Sequence, residues 1–317
     1  MKYRRCGQSG ILLPAISLGL WHNFGEYDPY KRNRDIIMEA YDRGITHFDL
    51  ANNYGPPPAS AETTFGRVLK EELGAHRDQI IVTTKAGHLM WDGPYGDWAS
   101  RKHLVASLDQ SLSRMGLDYV DIFYSHRYDP NTPLEETMRA LDYIVRSGRA
   151  LYVGLSKYPS DKLTEALRIL KQMGTPAIVN QLSYSMINRG AEKSQFDVNR
   201  QNGIGCVSFS PLAQGMLTDR YLNGIPEDSR AAKESGFLQI AEVEENIEKI
   251  RALKEIADER GESLAQMALA WQFTDDRITS VIVGVSSCEQ LRTNLGALEA
   301  APFTVAQLEA IDRITLP

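Results

Sequence analysis

An α/β fold, a (β/α)₈ TIM barrel carrying an N-terminal β-hairpin, is the class this sequence predicts. Three observations carry it. Eight short apolar runs of strand length recur along the chain, amphipathic segments of helix length lie between them, and no G-x-G-x-x-G turn follows the first run, as a doubly wound dinucleotide sheet would require. A chain of 317 residues suffices for such a barrel, which takes about 250 residues plus insertions. No low-complexity linker or shift in composition divides it, so residues 1–317 read as a single domain with extended loops.

The elements follow in order. Tyr3-Arg4-Arg5, the turn residues Gly7-Gln8-Ser9-Gly10 and Ile11-Leu12-Leu13 read as a hairpin capping one end of the barrel. The eight runs are Ile16–Leu20, Thr46–Ala51, Ile80–Thr84, Val120–Tyr124, Ala150–Gly154, Ala177–Gln181, Gly205–Phe209 and Ser280–Gly284. Helical periodicity spans Arg34–Tyr41, stopping before Gly44. It spans Ser60–Leu73 up to Gly74, Arg101–Met115 up to Gly116, and Asp161–Met173 up to Gly174. Another helix opens at Pro133 and ends at Gly148, with Pro near its start and Gly past its end. Thr218–Glu244 is rich in Gly, Pro, Asp and Arg and reads as a long functional loop.

Composition narrows the class. At 43% hydrophobic and 24% charged residues the chain is an ordinary globular protein, and its net charge of −6, spread along the sequence, weighs against a nucleic-acid binder. Cys6, Cys206 and Cys288 are odd in number and far apart, which points to neither a disulfide framework nor a metal site. The N-terminal residues lack the apolar core of a signal peptide. No apolar stretch approaches the roughly 20 residues of a membrane span. A cytoplasmic protein without a membrane partner is expected.

Reactive groups of a barrel gather where its strands end. Asp49, Lys85 and His126 each sit at the end of an apolar run, and Tyr54 lies in the loop after the second. Singly, Asp49 reads as a turn or cap residue, Tyr54 as a packing aromatic, Lys85 as a lysine reaching solvent and His126 as a structural histidine. Together, and in order, they fit one chemistry. Hydride addition to a carbonyl makes an alkoxide that needs a proton. A phenol with an ordinary pKa of about 10 gives it reluctantly, an ammonium beside it favours proton loss, a carboxylate holds the ammonium, and an imidazole orients the carbonyl. His22, His47, His76, His88 and His103 make no ligand spacing. His47 shares Asp49's side of the strand and reads as structural.

The order Asp49, Tyr54, Lys85, His126 resembles the catalytic tetrad of the aldo-keto reductases, and the likeness extends over nearly the whole chain. Longer motifs are similar to the branch of bacterial L-glyceraldehyde 3-phosphate reductases, relatives of voltage-gated potassium channel β subunits. They are Ser17-Leu18-Gly19-Leu20-Trp21-His22-Asn23-Phe24, His47-Phe48-Asp49-Leu50-Ala51-Asn52-Asn53-Tyr54-Gly55-Pro56-Pro57-Pro58, Asp109-Gln110-Ser111-Leu112, Tyr119-Val120-Asp121-Ile122-Phe123-Tyr124-Ser125-His126 and Tyr221-Leu222-Asn223-Gly224-Ile225-Pro226.

The resemblance implies NADPH lying extended across the barrel mouth. It implies that Trp21 lines the site, that Asp49 also borders the cofactor, and that Ser156 and Gln181 meet the nicotinamide amide. Ser210, Leu212 and Gly215, within Ser210-Pro211-Leu212-Ala213-Gln214-Gly215, would follow the pyrophosphate through backbone N–H groups. Arg220 would meet phosphate charge, and Ser286, Gln290 and Asn294 would hold the adenosine end from one helix face. Trp21, Tyr54, His88, Trp91 and His126 would line the substrate. The implied activity is NADPH-dependent reduction of small aldehydes, L-glyceraldehyde 3-phosphate or methylglyoxal, by a tetramer or octamer.

The chain departs from the branch in places. Ser287 stands where relatives carry Arg, which removes a 2′-phosphate ligand, and Thr293 stands where many carry Glu. His88 replaces a Tyr, and the loop Gly93-Pro94-Tyr95-Gly96-Asp97-Trp98 is bulkier than its counterpart. Alternatives on the same residues are a nucleotide-sensing regulatory subunit with slow turnover, a broad-specificity aldehyde reductase, and a sugar-phosphate isomerase or aldolase using Lys85 as a Schiff base.

Overall fold

The computed structural model describes residues 1–232 and 237–316. Its frame is a closed parallel barrel, and each strand coincides with one of the apolar runs. The strands are β3 (Ile16–Gly19), β4 (His47–Asp49), β5 (Ile81–Ala86), β6 (Val120–Ser125), β7 (Ala150–Ser156), β8 (Ala177–Ser183), β9 (Gly205–Phe209) and β10 (Ser280–Val283). β10 pairs back onto β3 through Val281–Ile16, Ile282–Ser17 and Val283–Leu18, which closes the ring. Strands of such a barrel are covered on both faces, and for that reason they read as apolar runs rather than as alternating ones.

The hairpin of β1 (Tyr3–Arg5) and β2 (Leu12–Pro14) lies across the end where the strands begin. Its turn residue Gln8 donates its N–H to Gly203 O at 2.8 Å, and Ala15 bonds back to Lys2. Cys6 and Leu13 reach into the barrel and pack with Ile122, Tyr124, Val179, Val207 and Ile282, so the barrel interior is filled from below by apolar side chains. Gly7 holds φ +56°, and a Cβ there would overlap Gly203 O at 2.2 Å. With this end sealed, access to the barrel is from the opposite rim.

Helices cover the outside. α1 (Tyr30–Asp42) begins four residues ahead of the periodic segment. α2 (Ser60–Val68) runs into one wider turn, Leu69–Leu73, and a tighter one, Gly74–Gln79. α3 (Arg101–Met115) is capped by Ser100 Oγ, which accepts from the His103 N–H, and stops at Gly116 with φ +66°. α4 (Leu134–Arg146) and α5 (Ser160–Gln172) stop ahead of Gly148 and Gly174, both left-handed. Then come α6 (Gln195–Asn202), α7 (Ile240–Glu259), α8 (Leu264–Gln272), α9 (Cys288–Leu295) and α10 (Val305–Thr315). The stretch expected as a loop to Glu244 ends sooner, because α7 starts at Ile240, and Asp219–Tyr221 form a short helical turn within it. Among the described residues no helix is long and apolar enough to cross a membrane.

One close approach within the wall serves the site. Gly154 of β7 faces the ring of Tyr124 on β6, and a Cβ would lie 2.3 Å from the ring carbon Cε1. Tyr124 in turn stands beside the Lys85 ammonium, 5.7 Å from ring centre to Nζ. A methyl group here must displace a fully buried ring. Gly154→Ala is expected to lower stability by about 1–3 kcal/mol, read as a shifted urea midpoint at unchanged slope; an unshifted midpoint would show that the wall yields freely.

Candidate active site

The strand ends bring four sequence-separated side chains to one point. Asp49 closes β4, Lys85 is the penultimate residue of β5, and His126 follows β6, its N–H bonded to Ala86 O at 2.9 Å. Tyr54 swings back from the next loop through a turn in which its N–H meets Ala51 O. Lys85 Nζ donates to Asp49 Oδ2 at 2.6 Å, to Leu50 O at 2.7 Å and to the Tyr54 hydroxyl at 3.2 Å. Asp49 Oδ1 accepts from Thr83 Oγ1 and from Gln181 Nε2, both at 2.9 Å. The ring centres of Tyr54 and His126 are 5.9 Å apart. An ammonium has three protons, and three acceptors use them all. Tyr54 therefore accepts from Lys85 and keeps its own proton for another partner.

Burial dominates the electrostatics. Lys85 is held below its ordinary range by loss of water, against the pull of Asp49 and Glu62. The Tyr54 phenol is pushed well above 10 by burial first and by the Asp49 carboxylate second. The sequence reading expected the ammonium to ease proton loss, and the folded site reverses that direction: burial opposes phenolate and Asp49 spends the lysine charge. Tyr54 thus rests as a neutral phenol. His126 is pushed well below 6.5 by burial, then by Lys85, Lys157, His88 and Arg127, and is neutral. His126 Nδ1 is buried with no partner, and among the described residues its ring makes no hydrogen bond.

Around this centre lie polar groups poised for a ligand. Ser156 on β7 pairs in register with Gln181 on β8, and Ser156 Oγ is buried with no partner. Gln181 itself reaches Asp49. Ser210, Ala213, Gln214 and Gly215 hold φ of 54°, 46°, 61° and 99°. The Ala213 and Gly215 N–H groups are taken by Ser210 O and Leu212 O within the loop, both at 2.9 Å, and left-handed backbone of this kind is the conformation found where main-chain N–H groups meet an anion. Beyond it is a cavity of about 360 Å³ lined by Leu212, Ser286, Gln290 and Asn294, together with Asp219 and Glu289. Asn294 Nδ2 is buried and unpartnered. Buried polar atoms are ordinarily satisfied, so the orphans at Ser156 and Asn294, with the strained backbone between them, fit an extended dinucleotide. Ser286 differs from the expected helix face, since it lies ahead of the α9 cap residue Ser287, and its N–H bonds Gln290 Oε1.

Other expected residues find varied neighbours. His88 stands edge-on to His126 at 4.5 Å between ring centres. Trp91 packs on His103 at 4.9 Å. Trp21 is covered by Phe237 at 4.9 Å and by the guanidinium of Arg230 at 5.2 Å. Arg220, expected to meet phosphate, is exposed and paired with Asp228 at 2.8 Å. Arg230, which the sequence did not single out, is half-buried and bonds Gln214 within the strained loop, with no carboxylate partner among the described residues. Lys157 also escaped notice. It follows Ser156 with φ +55°, lies 5.6 Å from the Phe209 ring centre, and has no ion pair among the described residues. Neither has a signal in sequence, because each matters only through what the fold places beside it. No cluster of metal-ligating side chains is found among the described residues.

Comparison with known proteins agrees with this geometry. Residues 15–315 match the model of the Aldo/keto reductase family. The chain is 53% identical over 318 residues to L-glyceraldehyde 3-phosphate reductase of Escherichia coli strain K12, covering 99% of this chain and 92% of that protein. It is 36% identical to a probable voltage-gated potassium channel subunit beta of Arabidopsis thaliana, covering 99% and 96%. An eight-stranded parallel barrel, a buried lysine–carboxylate–phenol group at its rim and a match over nearly all its length together make this chain a member of the aldo/keto reductase family.

Proposed function

We propose that this oxidoreductase reduces small aldehydes and favours those that carry an anionic group, with L-glyceraldehyde 3-phosphate as the leading substrate and methylglyoxal as a smaller, uncharged one. The observation that carries the reading is the use of all three Lys85 protons, which leaves the Tyr54 proton free beside the unbonded ring of His126. A nicotinamide dinucleotide, when bound, supplies hydride to the carbonyl carbon. Ser156 and Gln181 would hold its amide, the loop from Ser210 to Gly215 and Arg230 its pyrophosphate, and Ser286, Gln290 and Asn294 its adenosine. His126 offers its ring to the carbonyl oxygen, and Tyr54 delivers the proton there. As the alkoxide takes that proton, the phenolate left behind is met by the Lys85 ammonium at 3.2 Å, a stabilisation that belongs to the developing charge.

Charge at the mouth supports an anionic substrate. Lys157 and Arg127 both depress the nearby imidazoles, and His88 is pushed to about 4 by burial first and then by these cations. Arg127 is answered by Asp97 at 2.6 Å, whereas Lys157 is unanswered among the described residues. The far cavity has the opposite lining, with Asp219 and Glu289 and no lysine or arginine among the described residues. That lining gives a 2′-phosphate no countercharge, so NADH stands beside NADPH as cofactor.

Three outcomes test the reading. Tyr54→Phe should bind the dinucleotide as the parent does, by quenching of tryptophan fluorescence, while kcat for aldehyde reduction falls about 100-fold or more; turnover near that of the parent would remove Tyr54 from proton delivery. Lys157→Met should raise KM for glyceraldehyde 3-phosphate about tenfold, the value of one charge-assisted hydrogen bond, and leave KM for glyceraldehyde unchanged. Equal effects on both aldehydes would place the anion elsewhere. In fluorescence titrations NADH should bind at least as tightly as NADPH, and a clear preference for NADPH would show that the acidic cavity does not meet the 2′ position.

A further inference from the structure

Behind the catalytic group a continuous line of hydrogen bonds crosses four neighbouring strands. Ser280 Oγ on β10 lies 2.6 Å from Ser17 Oγ on β3, and Ser17 Oγ lies 2.8 Å from His47 Nδ1 on β4. His47 Nε2 lies 3.2 Å from Thr83 Oγ1 on β5, and Thr83 Oγ1 lies 2.9 Å from Asp49 Oδ1. All five side chains are buried, at 2% exposure or less. The direction of every bond follows from one end. A carboxylate engaged by an ammonium accepts, so Thr83 donates to Asp49. Its alternative acceptor, Phe48 O at 3.5 Å, is both farther and uncharged. A hydroxyl has one proton, so Thr83 can only accept from His47, and His47 must carry its proton on Nε2. A neutral ring then leaves Nδ1 as an acceptor for Ser17, and Ser17 accepts from Ser280.

The ring stays neutral. Burial pushes His47 down to about 4, with Lys85 adding to that and Asp49 opposing it. Protonation would turn Ser17 round to accept from the ring and donate to Ser280, and the other neutral tautomer would set Nε2 and Asp49 both calling on the single Thr83 proton. Of the two neutral tautomers, only the one with its proton on Nε2 satisfies all five groups.

We propose that His47 is a positioning residue for the reduction: acting through Thr83, it holds the Asp49 carboxylate in the one orientation that meets Lys85 and Gln181 together. The seam where β10 closes onto β3 supplies the far end of the line, so closure of the barrel and aim of the carboxylate are joined. The proposal rests on the reading of Asp49, Lys85 and Tyr54 as the proton-delivery group.

Its first test needs no turnover. Imidazole ¹⁵N correlation spectra of the whole protein, with the His47 signal assigned by its loss in His47→Gln, should show the neutral Nε2–H tautomer at neutral pH; an Nδ1–H ring would overturn the line as drawn. The second is a double-mutant cycle on kcat. His47→Leu and Thr83→Val should each lower kcat about tenfold with KM for aldehyde unchanged, and the double variant should lose no more than either, because coupled residues act as one unit. His47→Gln and Thr83→Ser, which keep a donor to Thr83 and a donor to Asp49, should recover kcat to within about twofold. Losses that multiply in the double variant, or a kcat that stays at the parent value while only melting temperature falls, would reduce the line to a structural contact. Absence of aldehyde reduction in the parent protein would instead refute the reductase reading and leave the tautomer result standing.

Discussion

The ion pair of Lys85 and Asp49, fully enclosed with 2.6 Å between Nζ and Oδ2, is the constraint to which the rest of the structure answers. Two charges taken from water are costly, and their attraction repays that only when the remaining protons and lone pairs are also satisfied. Here each is. Leu50 O and the Tyr54 hydroxyl take the other lysine protons, and Thr83 and Gln181 serve the second carboxylate oxygen. Those partners come from β4 and the loop beyond it, from β5 and from β8, so no strand among them can shift register without leaving a charge exposed to apolar surroundings. The apolar plug of the hairpin below and the covering helices outside keep water from relieving the pair. The same enclosure places the phenol where it can lose a proton only to something that enters from the rim.

Much of the barrel was legible because its strands are buried on both faces. The apolar runs Ile80–Thr84 and Val120–Tyr124, with Lys85 and His126 at or just past their ends, form the bodies of β5 and β6, which extend one or two residues further toward the rim. Helix ends were legible where glycine takes a left-handed turn, as at Gly116 and Gly174. The later helices were less so. α7 begins inside a stretch whose Gly, Pro and charged residues mask its first turn, and α6 is a short, largely polar helix with little apolar face. The widened turn after α2 also has no mark in composition, since Leu69–Leu73 continues the apolar spacing of the helix before it.

The candidate site divides in the same way. Asp49, Lys85 and His126 were legible because strand ends converge in any barrel, so position along the chain translates directly into position in space. Direction of charge effects did not translate. The pull of an ammonium on a phenol is a pairwise matter, whereas the net result depends on how much water the fold removes, and burial prevails at Tyr54. His47 shows the opposite case. Its alternation with Asp49 along β4 places both side chains on one side, which was visible, but its two nitrogens acquire meaning only through Ser17 and Thr83 on neighbouring strands. Arg230 and Lys157 likewise depend on which carboxylates the fold leaves out of reach.

Charge across the mouth then follows a gradient that the overall composition hides. A chain with net charge −6 presents Lys157 and Arg127 near His126, of which only Arg127 is matched by a carboxylate among the described residues, and at the far cavity two carboxylates with no cation among the described lining residues. Fields of this kind act at the scale of the pocket, because low-dielectric walls screen poorly. On the proposed reading, an anionic aldehyde would be drawn to the end where the phenol waits, with its charge away from the acidic cavity. The neutral rings of His88 and His126 suit this arrangement: two charged imidazoles would bind an anion more strongly before reaction as well as during it, and would add little to the chemical step. A neutral donor whose hydrogen bond strengthens as the oxygen gains charge favours the transition state over the bound aldehyde, and on the proposed reading the burial that keeps both rings neutral would serve the chemical step rather than the binding that precedes it.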